Sequence, residues 1–172
     1  WEAAFAEEGR RIAGNRVELV SGTAKETLKK ELKRFMQDPE FMGSDVRTKA
    51  RILRTRFNQY SNSQAQRLVR TEATNAANLG TMRSALDIYG ANELQKEWIS
   101  ANDERVRDGH RTAGGKFLGS GKPSIIDFDD KFEVNGEFLH RAGDPAGSPA
   151  NVINCRCSIA PFPKKSDQLN YI

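Results

Sequence analysis

Residues 132–139 read Phe132-Glu133-Val134-Asn135-Gly136-Glu137-Phe138-Leu139, the clearest local signal in the chain. Apolar and polar side chains alternate on both sides of an Asn-Gly pair. Alternation suits a strand with one buried face, and Asn-Gly accepts the two positive φ angles of a type I′ turn, so a tight antiparallel hairpin is expected. Working outward, Leu94 to Ser100 carries Trp98 and Ile99 and is expected as a strand. Ile125 to Phe128 is a short apolar run, and Val152 to Ile159 is expected as a further strand. Gly-rich loops lie between them: Gly114-Gly115, Gly119-Ser120-Gly121, and Gly143 to Pro149. None has the spacing of a phosphate-binding or dinucleotide-binding loop.

The first half has the period of a helix. Thr23 to Gln37 places Leu28, Leu32 and Phe35 on one stripe, with Thr23 and Glu26 as a capping box and Asp38-Pro39 as the stop. A second helix is expected from Ser44 or Asp45, burying Val46, Ala50, Leu53, Phe57 and Tyr60, with a break at Ser61-Asn62-Ser63. A third runs from about Gln64 to Tyr89. Its inner face is rich in Ala, which allows close approach to a neighbouring helix, and Gly90 is expected as its left-handed C′ residue. The fold class is therefore α+β: a helical N-terminal part with a long helix, followed by a small, mainly antiparallel β-sheet domain with loops. The expected organisation is a helical region over 1–90, a small α+β core over 91–160, and a C-terminal arm over 161–172.

The chain has 172 residues, 37% hydrophobic and 29% charged, with a mean hydropathy of −0.68. Nine Phe, two Trp and three Tyr supply bulk for one modest core, which excludes wholesale disorder. No apolar run approaches the ~18 residues of a membrane span, so no membrane partner is expected. The net charge is +4, and the excess is local: residues 25–72 hold twelve Lys/Arg against six Asp/Glu. Its densest part is Arg47, Lys49, Arg51, Arg54 and Arg56, on a basic helix at about 45–60. Such a stretch is either the solvated face of a helix or a contact for nucleic-acid phosphate or an acidic partner.

Both histidines and both cysteines lie in two loop regions. His110, His140, Cys155 and Cys157 are a set of the type zinc accepts, but zinc sites pair cysteines two to four residues apart rather than one. On a strand, Cys155 and Cys157 would share a face, free to reach one ion, to bridge as a disulfide or simply to pack. The preferred expectation is two buried thiols and two hydrogen-bonded histidines, with no cofactor. Asp103, Asp108 and His110 resemble a general acid/base cluster. The same residues also suit a network of ion pairs, with Arg105 or Arg107 pinning Asp103 or Asp144 loop to loop.

Taken in order, Trp98, Asp103-x-Arg105-x-Arg107-x-x-His110, Gly143-Asp144-Pro145 and Ile153-Asn154-Cys155-Arg156-Cys157 resemble the phage Mu F-like minor head protein family, also called the phage head morphogenesis family. Arg70-Thr71-Glu72 at the start of the long helix fits the same pattern, and the resemblance covers roughly residues 65–160. Members often carry His-Pro before the Asn-Cys-Arg-Cys segment, where this chain has Val152-Ile153. The resemblance implies a structural component of a tailed-phage or prophage virion with no catalytic residue and no small-molecule substrate. It implies a minor capsid protein inside the capsid or at the portal vertex, assembled in the bacterial host cytoplasm. The implied partners are portal protein, major capsid protein and genomic double-stranded DNA, with a part in packaging or ejection. The alternative is an enzyme, a nuclease or an ADP-ribosyltransferase-like domain, using His110 and a nearby carboxylate.

Overall fold

The computed structural model describes residues 23–58, 60–101, 103–115 and 124–164. Helix α1 spans Thr23–Phe35, α2 Pro39–Gly43, α3 Val46–Arg56 and α4 Asn62–Tyr89. A 3₁₀ turn at Ala91–Glu93 leads into β1 (Leu94–Ile99). Then come α5 (Asp108–Gly114), β2 (Ile125–Asp127), β3 (Phe132–Val134), β4 (Glu137–Leu139), α6 (Pro149–Val152) and β5 (Ser158–Pro163). The strands form an antiparallel sheet of order β2-β1-β5 and a separate β3-β4 hairpin. No helix among the described residues is long and apolar enough to cross a membrane. The α+β class is as expected.

Helix starts follow from short polar side chains. Asp45 Oδ1 accepts from the amides of Arg47 and Thr48 and starts α3. Ser61 starts α4 with a full capping box, its hydroxyl accepting from Gln64 N–H while Gln64 returns the bond. The expected break at Ser61-Asn62-Ser63 is thus a helix start. Asp38, expected only to end the first helix, also caps α2, accepting from Glu40 N–H at 2.9 Å with Pro39 in the first turn. The Thr23–Glu26 capping box falls on side chains outside those described. Gly90 has φ +78 and ψ 155, so it is extended with positive φ instead of left-handed helical, and it passes the chain into the 3₁₀ turn that precedes β1.

Two apolar clusters form where one modest core was expected. The first joins α1 to α4 through Leu28, Leu32, Met36, Phe41, Ala50, Leu53, Phe57, Tyr60, Ala65 and Val69. The second lies under the sheet and hairpin: Trp98, Ala113, Phe132, Val134, Leu139, Ala142, Cys155, Cys157 and Ile159. Asn135 and Gly136 have φ +51 and +75, as a type I′ turn requires, and the hairpin register is Phe132 with Leu139 and Val134 with Glu137.

The expected Val152–Ile159 strand is corrected. Pro149–Val152 is helical, residues 153–157 are irregular, and β5 runs from Ser158 to Pro163, pairing Trp98 with Ile159 and Leu94 with Pro163. Pro161 to Pro163 therefore belong to the sheet, not to the arm. Residues 165–172 of that arm lie outside the described residues.

Along β1 the inward positions are Leu94, Lys96 and Trp98. Lys96 is fully buried, donates from Nζ to His140 O at 3.0 Å, and lies over the rings of Phe128 and Phe132 at 5.8 and 5.5 Å. Burial lowers its ammonium from 10.5 to about 8, against the raising effect of Asp129, Asp130 and Asp144. Below about pH 8 both folded and unfolded chains hold this proton, and the cost of burying the cation is fully present. Between about 8 and 10.5 the unfolded chain binds the proton more tightly, so this group makes stability rise with pH by up to about 3 kcal/mol. In urea denaturation of wild type and Lys96→Met at about pH 7 and 9, the wild type should gain about 1 kcal/mol more than the variant between the two pH values.

Candidate functional site

Helix α4 continues past the first core as a 28-residue rod, about 42 Å long at 1.5 Å per residue. Its middle buries polar side chains. Thr71, Asn75 and Asn78 recur at spacings of four and three, so they share one face, and all are at least 96% buried. They meet the segment that carries the cysteines. Thr71 Oγ1 accepts from Asn154 N–H at 2.8 Å, and Thr74 Oγ1 donates to Cys155 O at 2.9 Å. Asn78 Nδ2 donates to Cys157 O at 3.1 Å and to Ala142 O at 3.0 Å, while its Oδ1 accepts from Ile159 N–H at 3.0 Å. This is the physical reason residues 153–157 are not a strand. Three of their backbone groups are satisfied by α4 side chains in place of a neighbouring strand.

The loop after β4 docks on the same face. Gly143 has φ +76, and a Cβ there would come within 3.2 Å of the Asn75 backbone, so only glycine brings the loop this close. Asn75 Oδ1 accepts from Arg141 Nη2 at 2.8 Å. Asp144 folds the loop on itself, accepting from His140 N–H at 2.8 Å and Ala146 N–H at 3.0 Å. Gly143 and Asp144 are thus turn-forming parts of the frame.

The expected ion pairs form with different partners. Asp103 is engaged by both Nη atoms of Arg156, not by Arg105 or Arg107. That pairing holds the Asp103 carboxyl down at about 2, so the pair stays ionised down to about that pH. Arg107 donates to Ile153 O, Arg70 donates to Asn154 Oδ1, and Asp144 lies 3.8 Å from Arg141. Arg105 is exposed, with its own amide bonded to Asp103. Burial, then Arg156 and Arg105, push the Arg70 guanidinium down, a sign of crowded positive charge.

His110 is delivered by α5, which ends at Gly115 in the left-handed conformation. The ring is 1% exposed and meets Trp98 edge-on at 5.4 Å. Its Nδ1 is 3.5 Å from Cys155 Sγ and 3.5 Å from Cys157 Sγ. Both thiols are free and buried. Accepting the Cys155 hydrogen bond holds the Cys157 thiol down, and the same bond with burial drives Cys155 up. The three ligand atoms lie within 4.8 Å of one another, and they line a pocket of about 20 Å³ with Arg105, Arg107 and Arg156. His140 is not in this cluster, so the four-residue set is corrected to three. Its imidazole is lowered by burial and then by Lys96. The acid/base cluster does not assemble either. Asp108 has a 97% exposed side chain paired with Arg111 at 3.5 Å, and no carboxylate among the described residues joins the His110 group.

The basic stretch divides. Lys49 is buried and donates to Met42 O and Ser44 O. Arg47, Arg51, Arg54 and Arg56 are exposed, Arg54 also donating to Tyr60 O at 3.2 Å.

A family model described as Phage Mu protein F like protein matches residues 16–160. The chain belongs to this family. The matched span holds every motif that carried the resemblance, from Arg70-Thr71-Glu72 to Asn154-Cys155-Arg156-Cys157. This Mu F-like chain is also similar to the Minor head protein GP7 of Bacillus phage SPP1, 31% identical over 101 residues. That match takes in 59% of this chain and 30% of the relative, so the chain spans less than a third of the curated relative it matches. No solved structure matches it. Thr74, Asn75 and Asn78, the residues that hold the Mu F-like cysteine segment in place, are not evident from the sequence. Their helical spacing is visible there, but polar residues at that spacing read as a solvated face.

Proposed function

We propose that this chain is a structural minor head protein of a tailed phage or prophage, taking part in head morphogenesis by protein contact and not by catalysis. The observation that carries this reading is the inward use of the motif residues. Asp103 with Arg156, Arg107 with Ile153 and Arg70 with Asn154 tie segments together, and no carboxylate among the described residues joins His110 in the small pocket beside them. Its similarity to a minor head protein of phage SPP1 supports it. The chain works in the virion, inside the capsid or at the portal vertex. Its partners are the portal or major capsid protein and packaged double-stranded DNA, with which it acts in packaging or ejection.

DNA contact is assigned to the exposed arginines of α3, where Arg47, Arg51 and Arg54 share a face at spacings of four and three. Arg47→Glu with Arg51→Glu is expected to weaken nonspecific duplex binding. The slope of log affinity against log salt should also flatten, by about 0.9 for each phosphate the variant no longer neutralises. Gel retardation at several salt concentrations reads both effects. Absence of duplex binding by the wild type at low salt sinks the DNA assignment. Pull-down against purified portal protein tests the other partner: retention at high salt supports a specific interface, and no retention at any salt overturns it.

A further inference from the structure

We propose that His110, Cys155 and Cys157 form a zinc site, with His110 Nδ1 and the two Sγ atoms as three ligands of a tetrahedral ion and the fourth position open to the pocket. The geometry is that of the edges of such a tetrahedron. Zinc bonds of about 2.3 Å to sulfur and about 2.0–2.1 Å to nitrogen, at tetrahedral angles, put nitrogen and sulfur about 3.5 Å apart. Both Nδ1–Sγ separations are 3.5 Å. The Sγ pair also falls within the 4.8 Å span of the group, which accommodates the sulfur–sulfur edge of about 3.8 Å.

The surrounding chain is arranged for ligation. Asn154 has φ +62, and this left-handed residue turns the segment so that Cys155 and Cys157 both face His110. The Cys157 amide points at Cys155 Sγ at 3.5 Å, a backbone donor of the kind that steadies a metal-bound sulfur. Ligation through Nδ1 leaves the ring proton on Nε2. That is the same tautomer the ring has when Nδ1 accepts from a thiol, so the ion replaces thiol protons without rearranging the imidazole. The ion would join α5 to the segment that helix α4 pins. Three protein ligands and an open position are the composition of a site that keeps a water or takes a donor from outside. Arg105, Arg107 and Arg156 along the pocket favour an anionic one.

The test uses the full chain, reduced and freed of metal. Equimolar zinc by elemental analysis after regrowth in zinc is expected. Titration with Co²⁺ should give thiolate-to-metal charge transfer and intense tetrahedral d–d bands, both erased by added Zn²⁺. Cys155→Ser and Cys157→Ser should lose these bands, and His140→Ala should keep them. Zinc should raise the melting temperature of the wild type but not of Cys157→Ser. If the serine variants fail to fold by circular dichroism, the wild-type cobalt spectrum still reports the ligand set. A folded, reduced wild type that gives no charge-transfer band at equimolar Co²⁺ overturns the proposal. So does a band that survives in both folded serine variants, or purification with Cys155 and Cys157 joined as a disulfide that binds metal no better once reduced.

Discussion

Asn78→Leu is expected to destabilise the fold by about 3–5 kcal/mol, because it strands three buried backbone groups at about 1–3 kcal/mol each. Asn78 is 4% exposed. Its amide nitrogen serves the carbonyls of Ala142 and Cys157, and its amide oxygen serves the amide of Ile159. Leucine has a similar reach, so the effect comes mainly from the missing hydrogen bonds and not from a cavity. The affected groups belong to the loop after β4, to the cysteine segment and to the start of β5, none of which has an apolar substitute for this anchor. Equilibrium urea denaturation should show a lower midpoint with little change in slope. A loss under about 1 kcal/mol would mean that the three groups find other partners and that the polar face of α4 is not what fixes this segment.

Trp98→Ala should cost a similar amount, about 3–5 kcal/mol, by a different route: less apolar burial plus the cavity left behind. Trp98 is completely buried on β1. Its ring meets Phe132 at 5.4 Å with a 72° interplanar angle and His110 at 5.4 Å with 85°, both edge-to-face. It therefore fills the space between the sheet, the hairpin and α5. For a chain of this length about 2–4 °C of melting temperature accompanies each kcal/mol, so a fall of about 10 °C is expected in a thermal melt. Trp98→Phe, which keeps an aromatic ring in the gap, should fall clearly less. Equal falls for the two variants would show that partial filling of the space gives no stability, against a cavity as the cause.

The contrast between these two residues shows what the sequence reveals. Apolar periodicity locates Leu28, Leu32, Ala50, Leu53, Phe57 and Tyr60, and all are buried as expected. Alternation around Asn135-Gly136 locates the hairpin, because turn and strand there are dictated within eight residues. Trp98 is legible for the same reason. Asn78 is not, because nothing in its own neighbourhood distinguishes a buried asparagine from a solvated one. What buries it is a segment about 80 residues further along the chain. The helices at Asp108–Gly114 and Pro149–Val152 escape for want of length, having too few turns to display a stripe. Lys49 escapes because a lysine on a basic helix looks like surface until the carbonyls of Met42 and Ser44 are seen around its ammonium. The three-residue thiol and imidazole group is half legible. Its residue types stand out in the sequence, but separating His140 from His110 needs the placement of α5.

Helix α4 supplies Ala65 and Val69 to one apolar cluster and Thr71, Asn75 and Asn78 to the frame of the other. It is a lever with its two loads on one shaft. A pull applied to the arginine-bearing helix α3, which packs on the N-terminal end of that shaft, is carried along the continuous backbone hydrogen bonds of α4 to the segment that positions Cys155 and Cys157. Strain that enters at α3 therefore reaches the cysteine segment along a single 28-residue helix that runs unbroken from one cluster to the other.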